Sequence, residues 1–362
     1  MPGLTARLVP RFVKSCRAAH LGFAAACICF AISAANMSSV ESSLAVPLAV
    51  PAEPTARPGP RPAPRVVRDP STVRVLGPTE RVALGDELRE IWSRRDLLVQ
   101  LAGRDVRIRY KQAVMGFAWA ILMPLLIVGA GTLFRLAAVS MTGAKLDKAD
   151  IGSVILKSFP WAFFSGALGF AVNSVTGSIN LVTKIYFPRA ILPIAAVGAN
   201  LFDLGVGLVA MLLLLPFFAA KLTFALLWAP VLLAVLVLFT TGLGAVMACA
   251  NLFYRDVKYI TQVLLTFGIF FTPVLFDLAA FGPRASRLLM FNPLSPLFEG
   301  LSLAVMRGHN LLTPLAATTA KGVTFAAWQP WYLLYSLAWT AALVVGGVHL
   351  FRRTQDLFAE FA

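Results

Sequence analysis

The sequence predicts an all-α protein that crosses a membrane with six helices. Of the 362 residues, 58% are hydrophobic and only 14% are charged, whereas soluble domains are about 45–50% apolar and about 25% charged. The apolar residues form continuous stretches of about 20 residues, the length of a helix that spans a bilayer. They do not show the alternating pattern of a membrane β-barrel. A polytopic bundle of transmembrane helices is therefore the predicted fold class, and the mean hydropathy of +0.77 agrees with it.

The formal net charge of +15 has a simple explanation in such a protein. Many of the basic residues lie in the first 115 positions, and most of the others flank apolar stretches. Basic residues beside spans mark the cytoplasmic side and contact anionic lipid headgroups. We therefore expect membrane lipids, and no nucleic acid, among the partners.

Residues 1–37 have the pattern of a signal peptide, with basic residues before an apolar run that ends in small residues. A cleaved signal, an extra membrane anchor and a start codon placed too far upstream all fit this pattern. The last is favoured, because either of the others would export the dense basic stretch before the first span. Residues 38–78 are rich in Pro and Ala and predict a disordered linker. The folded membrane domain is then expected to cover residues 79–362.

An amphipathic helix is predicted to begin near residue 79, with charged residues opposite its apolar side. A basic helix of this kind beside a span usually lies in the plane of the membrane surface. Residues 106–111 instead alternate between apolar and basic side chains, a period of two that predicts a break in the helix before the first span. The apolar positions recur at helical spacing: Leu84, Leu88, Ile91, Trp92, Leu98 and Leu101.

Six stretches near or above the required roughly 20 residues follow in order. Between the fifth and the sixth, short apolar pieces are broken by Pro and Gly and predict re-entrant or interfacial helices. The basic residues before Gly116 place that side, and with it both termini, in the cytoplasm. The predicted spans are residues 116–136, 152–176, 191–218, 226–250, 259–276 and 331–351.

The sequence shows no phosphate-binding loop, no nucleophile motif and no spacing of metal ligands. We therefore expect no catalytic residue, no cofactor and no metal. Asp203 is the main acidic residue within a span, where a buried charge is unfavourable. It could serve an ion-coupled secondary transporter, but pairing with a polar neighbour is favoured because no basic partner is evident. Lys157, near the start of the second span, is expected to extend toward the membrane surface. A membrane scaffold or biosynthetic partner that transports nothing is a third possibility.

Four sequence motifs resemble, in order, those of ABC-2 type permeases that export polysaccharides or polyol phosphates. In that family an "RD…RYK" stretch precedes a first span of the form "GxxWxxLxPL". "NLVTKIYFPRAILP" resembles the loop after the second span, and "FYRDVKYI" with "FFTPVLF" resembles the fifth span. "FNPLSPLFEGLSLAVMRG" resembles the hairpin before the last span. The first motif is matched by Arg104, Asp105, Arg109, Tyr110, Lys111, Gly116, Trp119 and Pro124.

The resemblance implies the membrane-spanning permease subunit of an ATP-driven exporter. Its substrate would be a lipid-linked cell-surface polysaccharide, such as an O-antigen, a capsule or a teichoic acid, that crosses the inner (plasma) membrane. The permease would form a homodimer with two copies of a cytoplasmic ABC ATPase subunit, which carries out ATP hydrolysis.

The resemblance also implies roles for particular residues. Aromatic side chains suit a channel for glycans because sugar faces stack on them, although they could equally face lipid or the core. The channel-lining candidates are Trp119, Phe267, Phe270 and Phe271. The residues expected to couple to the ATPase are Arg104, Asp105, Arg109, Lys184, Tyr186, Phe187, Pro188, Arg189, Arg255 and Asp256.

Overall fold

The computed structural model describes residues 89, 91–111, 118–142, 148–178, 187–218, 223–278, 282–318 and 324–354. The signal-like segment, the predicted linker and the first turns of the predicted amphipathic helix lie outside the described residues. The helices in the described part are α1 (Arg95–Lys111), α2 (Ala118–Thr142), α3 (Lys148–Asn173), α4 (Ile191–Leu214), α5 (Trp228–Phe253), α6 (Val257–Phe271), α7 (Gly282–Met290), α8 (Ser295–Met306) and α9 (Trp331–Thr354).

Five of these helices, namely α2, α3, α4, α5 and α9, are long and apolar enough to cross a membrane. Each coincides with a predicted span, and the bounds shift by only a few residues. Helices α7 and α8 are joined at a bend of 115°. This bent pair confirms the short, broken helices predicted before the last span, and the protein is a multi-pass all-α membrane protein.

The predicted fifth span is too long. Helix α6 has 15 residues, or roughly 22 Å at about 1.5 Å per residue, against about 30 Å of hydrocarbon in a bilayer. It ends because Pro273 disfavours helical backbone at the residue before it. Thr272 is accordingly extended, with φ −119° and ψ 137°. The following residues place Asp277 against Lys157 of α3, over 2.9 Å.

The break predicted within residues 106–111 is wrong, because α1 continues to Lys111. Six alternating residues are a short signal, and successive residues of a helix point about 100° apart in any case. Arg109 and Tyr110 can therefore both face α4, while Ile108 is 68% exposed. The connection to α2, residues 112–117, lies outside the described residues.

Helix α1 packs lengthwise against the first half of α4. Leu101 shares an apolar cluster with Leu192 and Ala195 near the start of α4. Two turns later, Arg109 donates a hydrogen bond to Asn200 over 3.1 Å. The two helices therefore run in the same direction.

Helix α3 forms the centre of the core, and most of its residues are buried. It packs against α2, α4, α5, α6 and α8. Elsewhere α5 and α9 approach each other closely. A Cβ atom added at Gly242 of α5 would lie 2.6 Å from the backbone nitrogen of Val344 in α9. Small residues at such crossings let membrane helices gain van der Waals contact.

A short antiparallel hairpin, β1 (Leu315–Thr318) with β2 (Thr324–Trp328), precedes α9 and was not predicted. Its strands have only four and five residues, too few for a clear alternating pattern. Trp328 is fully buried, and its indole N–H donates to the carbonyl oxygen of Leu311 over 2.9 Å. The Trp328 ring also lies next to Gly300, so the hairpin supports the bent pair from one side.

Candidate functional site

The first polar network joins α1 to α4 through Asp203. The Nη1 atom of Arg109 forms an ion pair with one carboxylate oxygen of Asp203, and the Tyr110 hydroxyl donates to the other. Arg109 also donates to Asn200. The hypothesis that Asp203 pairs with polar neighbours is confirmed. The assumption that it has no basic partner is wrong, since Arg109 lies 94 residues earlier in the chain.

The same network reaches α3 through an aromatic ring. The guanidinium carbon of Arg109 lies 4.0 Å from the centroid of the Phe170 ring, within the range of a cation–π contact. Burial, together with the hydrogen bond to the Asp203 carboxylate, raises the pKa of Tyr110 to about 12. Tyr110 therefore keeps its proton and remains a donor at neutral pH. Three helices thus meet at Arg109.

The second network lies toward the opposite ends of α2 and α3 and centres on Lys157. This side chain is completely buried, so the expectation that it extends to the membrane surface is wrong. Its ammonium lies 2.9 Å from a carboxylate oxygen of Asp277 and 3.3 Å from one of Glu299. It also donates to the carbonyl oxygen of Phe276 over 3.2 Å. These acceptors compensate for the hydration that the Lys157 ammonium loses on burial.

Arg135 of α2 extends this network. Its guanidinium lies 3.0 Å from Asp277 and 3.1 Å from Asp150. We call Arg135, Asp150, Lys157, Asp277 and Glu299 the ion cluster. It ties α2, α3 and the segment after α6 to α8, and so holds the bent pair against the core. Sequence reasoning missed it because Lys157 is 120 and 142 residues away from its two acidic partners.

The residues expected to couple to an ATPase differ in how far they are buried. Phe187 is buried in the apolar cluster that contains Leu101 of α1, and Pro188 is buried beside it. Arg104 is exposed, as are Arg255 and Asp256 in the turn between α5 and α6. Asp105, which pairs with Arg104 over 3.0 Å, and Arg109 are half-buried. Arg189 is half-buried, whereas Lys184 and Tyr186 lie outside the described residues.

The four aromatic candidates are all at the surface of the subunit. Trp119 is 45% exposed, Phe267 57%, Phe270 54% and Phe271 66%. The alternative that they face the core of the subunit is therefore wrong. Two possibilities remain for these side chains, that they line a channel or that they face lipid. Trp119 also lines a cleft that contains Arg109 and Asp203.

The chain matches one family model, over a range that includes both networks, and it is similar to three known proteins. Residues 96–306 match the model of the family described as ABC-2 type transporter. The chain is similar to an O-antigen export system permease protein of Myxococcus xanthus, with 30% identity over 244 residues, 65% of this chain and 90% of the relative. Two O-antigen export system permease proteins of Klebsiella pneumoniae are 23% and 22% identical, over 59% and 55% of this chain and 81% and 76% of their own lengths.

Proposed function

The chain belongs to the ABC-2 type transporter family, and from this premise we propose that it is the permease subunit of an ATP-driven exporter of a lipid-linked cell-surface polysaccharide. The observation that carries the substrate class is the similarity along 90% of an O-antigen export permease. ATP is hydrolysed on a separate ABC ATPase subunit. The export would run across the inner membrane, and both termini would lie in the cytoplasm, as the basic residues of α1 favour.

The proposed assembly is a homodimer with two ATPase subunits. The apolar helices α2 and α6 support it, because both leave most of their side chains exposed in the single subunit. Covering these surfaces with a second copy would place the exposed aromatic residues of both helices next to the export path. Glycans could then stack on rings such as Trp119 and Phe271.

The proposed coupling route starts at α1 and at the buried residues Phe187 and Pro188, which precede α4. Phe187 and Leu101 belong to the same apolar cluster, so a push from the ATPase on either segment would move both. Helix α1 would pass the movement to α4 through the Arg109–Asp203 ion pair and to α3 through Phe170. Arg109, Tyr110 and Asp203 act in this proposal as positioning residues.

The proposed gate is the bent pair α7–α8. The ion cluster ties Glu299 of α8 to Lys157 of α3, which resists separation because parting the charges would leave them buried and unpaired. The bent pair would therefore move together with α3 when the path opens.

Export in cells that lack their own permease tests the proposal. The chain and its ATPase should restore surface polysaccharide, detected with an antiserum, and a hydrolysis-deficient ATPase should abolish it. Export that persists without ATP hydrolysis would contradict an ATP-driven mechanism. Replacing residues 184–189 with Gly-Ser should also stop export while membrane insertion remains normal. The same replacement at residues 319–323 serves as the control and should leave export intact.

A further inference from the structure

Helix α7, the first helix of the bent pair, presents two faces of different character. Its buried face repeats every four residues, from Gly282 through Ser286 to Met290. Its exposed face follows the spacing i, i+3, i+4 and i+7, which places side chains on one side of a helix. The members of this exposed face are Arg284, Arg287, Leu288 and, directly after the helix, Phe291. Two guanidinium groups therefore share one face with two large apolar side chains.

The apolar side chains of this face are not covered by the subunit. Leu288 is 73% exposed and Phe291 is 71% exposed. Contact of such side chains with water is unfavourable, so an apolar environment is expected around them. Arginine side chains next to acyl chains can extend their guanidinium groups to the headgroups. The exposed face of α7 therefore suits the boundary between headgroups and acyl chains.

The end of α7 lies level with the first turns of α9. The hydroxyl of Tyr335 donates to the carbonyl oxygen of Phe291 over 2.7 Å, and that of Ser336 donates to the carbonyl oxygen of Pro293 over 2.7 Å. The rings of Tyr335 and Trp331 lie 6.0 Å apart, and Trp331 is 51% exposed. Trp and Tyr rings at the end of a span are typical of the headgroup level. Helix α7 is thus placed at a membrane boundary.

This boundary is the one on the opposite side from α1. Phe351, near the end of α9, belongs to the same apolar cluster as Leu101 of α1. Helix α9 has 24 residues, or roughly 36 Å at about 1.5 Å per residue, which is enough to cross the hydrocarbon. Trp331, at the start of α9, therefore lies at the far side, which is the extracytoplasmic leaflet in the proposed topology.

The positive charge of the exposed face is not offset by acidic residues. Residues 278–355 contain a single acidic residue, Glu299, which is buried and paired with Lys157. Neither Arg284 nor Arg287 forms an ion pair within the described part of the chain. Guanidinium groups form strong, charge-assisted hydrogen bonds with phosphate oxygens. The two exposed arginines are therefore available to an anionic headgroup.

We propose that the exposed face of α7 binds anionic phospholipids of the extracytoplasmic leaflet, with the phosphate at Arg284 and Arg287 and the acyl chains against Leu288 and Phe291. Bound lipid anchors the outer end of the bent pair in that leaflet. The binding depends neither on the exported substrate nor on the ATPase, so a failed export test would leave this proposal standing.

Photo-crosslinking of the full-length protein tests this surface. The crosslinking residue p-benzoylphenylalanine is incorporated at position 288, where the exposed side chain tolerates a larger group. The protein is reconstituted in vesicles of equal parts phosphatidylglycerol and phosphatidylcholine, and intact-mass spectrometry identifies the adducts. Phosphatidylglycerol adducts should exceed phosphatidylcholine adducts roughly fivefold, the preference expected from one basic residue beside an anionic headgroup. The preference should decrease at high salt.

Two matched variants separate the arginines from general contact with lipid. The double variant Arg284→Gln with Arg287→Gln should bring the adduct ratio at position 288 to about one. The same crosslinking residue at position 345, on an exposed site in the middle turns of α9, should show no preference with or without the arginines. Several results would overturn the proposal: no lipid adduct at position 288, equal adducts of both phospholipids there, a preference that persists in the double variant, a crosslink to a second copy of the chain, or an adduct of an isoprenoid phosphate retained from the cell membrane.

Discussion

Replacing Lys157 with methionine should destabilise the protein by about 3–5 kcal/mol, the usual effect of removing one partner of a buried ion pair. Methionine has a similar length and fits the buried site, so the substitution mainly removes the charge. The substitution removes an ion-pair partner from two carboxylates. Asp277 keeps Arg135 at 3.0 Å, whereas Glu299 loses the ammonium at 3.3 Å and stays 95% buried. The larger part of the effect is therefore expected from Glu299.

The double variant Lys157→Met with Glu299→Gln separates charge pairing from packing. Residues that share a buried ion pair couple by about 0.5–3 kcal/mol, so the double variant should be more stable than the sum of the two single effects predicts. Lys148→Met is the control, because Lys148 is on the same helix but exposed. It should change stability by no more than about 0.5 kcal/mol.

The assay is thermal unfolding of the purified protein in one detergent at one scan rate, because such unfolding is often irreversible. A loss of about 3–5 kcal/mol corresponds to a fall of roughly 6–20 °C in the midpoint for a protein of this size class. One kcal/mol shifts the unfolding midpoint by roughly 2–4 °C. If the midpoint of Lys157→Met lies within about 2 °C of that of the Lys148→Met control, the account of the ion cluster is refuted. Strict additivity in the double variant would refute the pairing of Lys157 with Glu299.

Three further predictions follow from other contacts. Gly242→Ala should destabilise the protein by about 1–3 kcal/mol through overpacking against α9, whereas Gly346→Ala, with open space at its Cβ, should not; equal unfolding midpoints would contradict the close approach. Asp203→Asn should weaken the α1–α4 contact by about 1 kcal/mol, because the single amide oxygen still accepts from Arg109 while the amide N–H can donate to the Tyr110 hydroxyl. Since this weakens the link between α1 and α4 without breaking it, export should be reduced but not abolished; complete loss of export by the folded variant would contradict this. Tyr110 should ionise near pH 12, so its contribution to stability is present below pH 10 and is lost as the pH rises from about 10 to 12. An absorbance titration that shows no difference near pH 12 between the wild type and Tyr110→Phe would contradict this.

The secondary structure of the spans could be predicted from the sequence because its causes are local. A run of about 20 apolar residues satisfies its own backbone only as a helix in a bilayer, and this placed α2, α3, α4, α5 and α9 within a few residues. Pro and Gly predicted the broken helices before α9 in the same way. The end of α6 shows the limit of hydropathy, because an apolar run continues past Phe271 while Pro273 stops the helix there.

The functional residues could be recognised only in part. The "RD…RYK" motif drew attention to Arg109, and the position of Asp203 within a span marked it as unusual. Their pairing depends on α1 running alongside α4, which neither segment encodes by itself. The ion cluster is the stronger example, because Lys157 looked like an isolated charge near the start of the second span, while its partner Glu299 lies 142 residues later in the chain.

The sequence by itself determined the class of protein, the positions of most membrane helices and the resemblance to exporter permeases, because each of these follows from residues that are neighbours in the chain. The tertiary structure alone decided which charges meet. Arg109 pairs with Asp203, 94 residues later in the chain, and Lys157 pairs with Glu299, 142 residues later. The reason is physical: a charge inside an apolar bundle is stable only beside an opposite charge, and the packing of whole helices sets which partner comes within reach.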